Sequence, residues 1–173
     1  MLLWFAGASL VLMWVVFRDP AIDHRLVIVG ALLPDLVDVA VGGGFDADSG
    51  PAHTLVFAVG LMFAVMGITV GRRLLRRRLL AIPIGWFFHL ILDPVWPHSS
   101  LFWWPVDGGS FGGVPIPAFD RPLALTLLLE AAGALALVWA YGRFGLSDPA
   151  RRSVFARSGR IDRQLTDGTP PTC

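Results

Sequence analysis

The chain has 173 residues, 55% of them hydrophobic and 16% charged, with a mean hydropathy of +0.65 and a formal net charge of +1. Ordinary soluble domains carry about a quarter charged residues; here residues 1–17, 54–71, 79–92 and 131–142 hold no Asp, Glu, Lys or Arg at all. That pattern excludes a disordered or nucleic-acid-binding chain and points away from a soluble globule, while the single cysteine, Cys173, excludes an intrachain disulfide or a cysteine-based metal site.

A helix that crosses a bilayer needs about 20 apolar residues, and about 17 at the least. Residues 1–17 meet this. They lack the basic start and small-residue cleavage site of a secretory signal and end in Arg18-Asp19-Pro20, so they read as an uncleaved anchor helix. Residues 26–41 are apolar apart from Asp35 and Asp38 and stop at Gly42-Gly43-Gly44. Residues 54–71 form a clean run closed by Arg72 and Arg73; 79–93 make a shorter fourth, and 122–141 a fifth interrupted only by Glu130. Pro34 and Pro83 lie inside these runs, where membrane helices tolerate them. The expectation is an all-α polytopic membrane protein of about five helical spans over residues 1–141. A polar, Arg-rich and partly disordered tail, 142–173, follows.

Cytoplasmic loops collect Lys and Arg, and all fourteen basic residues here are Arg. With five spans and the N-terminus outside, thirteen of them fall in the inner segments 18–25, 72–78 and 142–173, and only Arg121 falls outside. If 26–41 is re-entrant instead, the partition becomes eleven against three, which fits less well. The expected location is therefore the inner membrane of the cell, with the tail in the cytoplasm and the bilayer as partner. The run Arg72-Arg73-Leu74-Leu75-Arg76-Arg77-Arg78 reads as a topology determinant touching anionic lipid.

Ionisable residues inside membrane segments are costly unless paired, metal-bound or facing water, so they mark candidate sites. Asp35 and Asp38 stand at i and i+3, and His89 and Asp93 at i and i+4, each pair on one helix face. With a rise of about 1.5 Å per residue, Asp35, Asp38, His53, His89, Asp93 and Glu130 all fall in one layer near the outer end of the bundle. Asp48 lies in the loop just before His53. His24 is about 16 Å along its helix from Asp35, too far to share the site. Imidazole and carboxylate together bind zinc or a similar divalent ion, which supports hydrolysis. Each residue also has a purely structural reading: helix capping or a buried ion pair for Asp35 and Asp38, pairing with a neighbour for Glu130, a helix-end pair for His89 and Asp93, an interfacial position for His53 and a solvated loop position for Asp48. No serine-nucleophile elbow, phosphate-binding glycine loop or dinucleotide fingerprint occurs.

At these residues the sequence resembles the YdjM-type family of inner-membrane proteins, described as membrane-bound metal-dependent hydrolases. Three motifs carry the resemblance, over residues 30–105. Leu33-Pro34-Asp35 with Asp38 matches a Leu-Pro-Asp block with a second aspartate. Gly50-Pro51-Ala52-His53-Thr54 matches the end of a His-Arg-Gly-x-Thr-His-Ser block whose first histidine falls on Asp48. His89…Asp93 with Phe102-Trp103-Trp104-Pro105 matches a His-x-x-x-Asp block and its aromatic sequel. The resemblance implies a helical membrane protein with a His/Asp metal site.

The expected metal ligands are Asp35, Asp38, His53, His89 and Asp93, with Asp48 as a further candidate. Within that set, His53, His89, Asp35 and Asp93 come from three helices and can surround one ion. Asp38 then holds a second ion or acts as general base, and Glu130 orients a histidine. The expected activity is hydrolysis of a phosphoester or lipid-linked molecule, with no nucleic-acid partner. A metal or proton transporter lined by the same groups, and a non-enzymatic adaptor using the Arg-rich tail, are the rival readings.

Overall fold

The computed structural model describes residues 1–42, 50–93, 98–107, 121–163 and 165; Asp48 lies outside them. The described chain is all-helical, with no strand among the described residues. Helix α1 (Leu2–Val16) ends where Arg18 turns left-handed, at φ 47°, ahead of Asp19-Pro20. Helix α2 (His24–Gly42) starts at Asp23, whose carboxylate accepts the Arg25 N–H at 3.2 Å in an N-cap. A 3₁₀ turn (Pro51–His53) leads into α3 (Leu55–Ile68), capped by Thr54 Oγ1 accepting the Phe57 N–H at 3.1 Å. Helices α4 (Arg73–Leu79) and α5 (Ala81–Leu92) follow almost without a break. The junction falls four residues before Pro83, whose ring cannot donate to the Leu79 carbonyl and crowds it. Short α6 (Ser99–Phe102) precedes α7 (Leu123–Arg143) and α8 (Pro149–Ser158).

Glycines set the packing. A Cβ on Gly85 would stand 2.1 Å from the Val27 carbonyl oxygen, and one on Gly30 2.1 Å from that of Ile82. Only glycine at both places lets the α2 and α5 backbones touch. Gly7 and Gly133 do the same for α1 and α7, where a Cβ on Gly7 would stand 2.2 Å from the Gly133 oxygen. Such close crossings between small residues are the way helices associate where no water is present to be expelled.

The bundle has two chemically distinct ends, separated by about 20 Å along α2. At one, Arg77 pairs with Asp19 at 2.7 Å, and Arg25 and Arg78 pair with buried Asp23 at 2.9 and 3.1 Å. Burial alone would raise the Asp23 carboxyl, but hydrogen bonds and charge from Arg25 and Arg78 outweigh it and hold it below its ordinary range. Arg25 also donates to the carbonyls of Ala156 and Arg157, and the His24 N–H to that of Gly159, so α8 of the tail is docked here. At the other end stand Asp35, Asp38, His53, His89, Asp93, Arg121 and Glu130. Between them lies an apolar layer of Met13, Ile22, Val27, Ala81 and Phe88.

One helix among the described residues, α7, is long and apolar enough to cross a membrane. Five full-length spans are not what the helix lengths give. Helices α1, α3 and α5 have 15, 14 and 12 residues, and α2 carries Arg25, Asp35 and Asp38 among its 19. The shortfall is physical: apolar runs in the sequence include cap and turn residues such as Val70 and Leu80, which add hydropathy but no helix.

Candidate metal centre

The site is assembled from three elements. The close contact at Gly30 and Gly85 brings α5 against α2 so that His89 Nδ1 lies 2.8 Å from the Ala31 carbonyl oxygen. A carbonyl only accepts, so Nδ1 carries the proton and His89 Nε2 points onward bare. The Phe5 ring lies against that imidazole, with centroids 4.1 Å apart. His53 is set by the Gly50–Thr54 turn. Gly50 and Ala52 donate their N–H groups to Asp38 at 2.6 and 3.1 Å, Thr54 Oγ1 donates to the Pro51 carbonyl at 2.8 Å, and Trp86 Nε1 donates to the Ala52 carbonyl at 2.8 Å. Glycine at position 50 eases this approach, because a Cβ there would stand 2.9 Å from Asp38 Oδ1. His53 Nδ1 donates to Asp38 Oδ2 at 2.6 Å, leaving His53 Nε2 bare in the neutral ring.

The two Nε2 atoms face one another at 3.2 Å. Asp35 Oδ1 lies 3.3 Å from that of His53 and 3.4 Å from that of His89; Asp93 Oδ2 lies 3.7 and 3.9 Å away. Among the described residues, nothing donates a hydrogen bond to the buried Asp35 Oδ1 and Asp93 Oδ2. Four acceptor atoms thus converge within 4.8 Å of one another. Zinc holds nitrogen and oxygen ligands at about 2.0–2.2 Å in a tetrahedron, which places ligand atoms about 3.3–3.6 Å apart. The observed separations fit that figure closely on the Asp35 side and loosely on the Asp93 side. Neutral imidazoles, the carboxylates of Asp35, Asp38 and Asp93, and the Arg121 guanidinium leave two uncompensated negative charges in a largely buried site. One divalent cation cancels them. The residues present therefore fit a divalent ion in number, spacing and charge.

In the absence of such an ion a proton takes part of its place. Burial disfavours the His53 imidazolium, but the adjacent carboxylates of Asp35 and Asp38 outweigh it and raise its pKa to about 9. Loading an ion must expel that proton.

Of the residues singled out in the sequence, Asp35, His53, His89 and Asp93 stand together as one potential ligand set. Asp38 stands outside that converging set: its Oδ2 accepts from the Gly50 N–H and His53 Nδ1 and its Oδ1 from the Ala52 N–H, so it orients a histidine. Glu130 shares the layer but serves another contact. Its Oε2 accepts the Leu3 N–H at 2.9 Å, tying α7 to α1, and among the described residues its hydrogen bond is to that amide rather than to a histidine. His24 belongs to the opposite end and His98 is exposed.

Sequence reasoning missed Arg121. Its Nη2 donates to Asp93 Oδ1 at 2.5 Å with the side chain 11% exposed. The signal was present, since Arg121 is the one arginine breaking the thirteen-to-one partition. Gly30 and Gly85, which place His89, carry no such mark. No family model matches the chain, and no curated protein or solved structure matches it.

Proposed function

We propose that this chain is a membrane-embedded, metal-dependent hydrolase with a single divalent ion, zinc first, held by His53, His89, Asp35 and Asp93. The observation that carries the reading is the convergence of four acceptor atoms, two of them buried without a hydrogen-bond partner among the described residues, in a site short of two positive charges. When bound, the ion polarises a phosphoryl or carbonyl oxygen and activates water toward it. Asp38 and the Ala31 carbonyl hold the two imidazoles in the tautomer that presents Nε2. Asp35 is the most open of the four, 15% exposed at its side chain, and marks the side from which water and substrate arrive.

Support for a bilayer setting comes from the flanks. Helix α7 leaves Leu127, Leu128, Leu135 and Val138 exposed, and α3 leaves Phe63 and Ile68 exposed. Apolar faces of this extent need an apolar surrounding or a partner. In this reading the five apolar segments cross or enter the inner membrane of the cell, the N-terminus lies outside, and the metal position sits near the outer leaflet. The substrate is then a phosphoester or lipid-linked molecule. The transporter alternative needs polar groups through the full depth. The layer of Met13, Ile22, Val27, Ala81 and Phe88 between the two ends argues for a one-sided site.

The test is turnover of a generic phosphomonoester by zinc-loaded protein in detergent. Activity is expected to vanish on chelation and in Asp35→Asn. Zinc uptake into proteoliposomes without hydrolysis would replace this reading with transport.

A further inference from the structure

We propose that Arg121 binds the substrate's oxyanion, a phosphoryl group spanning the interval between the metal position and the guanidinium; this rests on the metal-dependent reading above. Asp93 already spans that interval. Its Oδ1 takes the Arg121 Nη2 hydrogen at 2.5 Å while its Oδ2 lies toward the two imidazole nitrogens. A phosphoryl O–P–O edge has the same two-oxygen form as the carboxylate edge and pairs with the same fork of guanidinium donors.

Asp93 is the ligand the site can give up. It stands farther from both histidine nitrogens than Asp35 does, 3.7 and 3.9 Å against 3.3 and 3.4 Å. It follows the last residue of α5 in extended backbone rather than within the helix. Letting go of it leaves His53, His89 and Asp35, a set of two imidazoles and one carboxylate with an open position, which is the catalytic pattern for zinc. Arg121 has donors to spare. Among the described residues its other contact is the Met1 thioether at 3.1 Å, a weak acceptor. It is also the only arginine between residues 79 and 142. The guanidinium is nearly dry, where its bonds to an oxyanion are strongest, yet not sealed.

The experiment measures zinc content and phosphate affinity on wild type, Arg121→Gln and Arg121→Lys in detergent. Inorganic phosphate is one arm and phosphatidic acid doped into the micelle the other; the tighter arm in wild type tells free from lipid-borne phosphate. Zinc is expected to stay bound in all three proteins. Phosphate affinity is expected to fall about 10- to 100-fold in Arg121→Gln, as for lost charge-assisted bonds, and by less in Arg121→Lys. Zinc-loaded Arg121→Gln that binds phosphate like wild type overturns the proposal alone. So does Arg121→Gln that loses zinc while Arg121→Lys keeps both, since Arg121 then acts only through Asp93. Wild type that holds no divalent ion overturns the metal reading and this proposal together.

Discussion

Replacing Asp38 by asparagine separates a residue that holds a ligand from one that is a ligand. Asp38 Oδ2 receives two donors, the Gly50 N–H and His53 Nδ1, both at 2.6 Å, and Oδ1 receives the Ala52 N–H at 3.1 Å. Asparagine keeps the shape but puts an NH₂ at one of these positions. The better arrangement keeps oxygen at the doubly bonded position and sets the new NH₂ against the Ala52 N–H. One hydrogen bond is lost, two donors face each other, and His53 loses the negative charge that makes its Nε2 a strong ligand. Outer-layer partners of this kind are worth about 10- to 100-fold in metal affinity, or about 1.4–2.7 kcal/mol at 1.36 kcal/mol per decade. Competition with a chromophoric chelator, on purified protein in detergent, reads this directly. Asp38→Asn is expected to bind zinc at full stoichiometry with the Kd raised by that factor, whereas Asp35→Asn, at a direct ligand, loses more. An unchanged Kd in Asp38→Asn would refute the assignment of Asp38 as the partner that sets His53.

Two further outcomes follow from the packing and the protonation state. Gly85→Ala places a methyl 2.1 Å from the Val27 carbonyl and forces α2 and α5 apart. It is expected to destabilise the protein by about 1–3 kcal/mol and to weaken zinc binding by moving His89 from Ala31. Gly60→Ala, which meets nothing within 4 Å, leaves thermal midpoint and zinc content unchanged or slightly raised. For pH, the raised His53 pKa of about 9 means the ion-free site carries a proton at neutral pH. Apparent zinc affinity therefore rises with pH up to about 9, by up to tenfold per unit, and levels off above it. Isothermal titration in buffers of different ionisation heat counts the released proton near pH 7; a count of zero contradicts the arrangement.

The four converging residues were legible because a carboxylate or imidazole in an apolar run has no cheap alternative to a partner. The spacing of Asp35 and Asp38 placed both on one face but did not say which faced the ion. That choice is made by Gly50 and Ala52, whose backbone amides reach Asp38 across twelve and fourteen residues. Glu130 lies at the right depth on the wrong face, because helix depth is additive along the sequence while rotation depends on the neighbour, here α1 at Leu3. Helix lengths were overread for the same kind of reason. Hydropathy continues through caps and turns, so the apolar run 79–93 yields only the helix Ala81–Leu92, which begins after the Leu80 junction.

The most direct measurement is elemental analysis of detergent-purified protein, wild type beside His89→Ala. The geometry predicts one divalent ion per chain in wild type and none in the variant. Metal-free wild type, two ions per chain, or full metal retained in His89→Ala would contradict a single ion held where His53, His89, Asp35 and Asp93 converge.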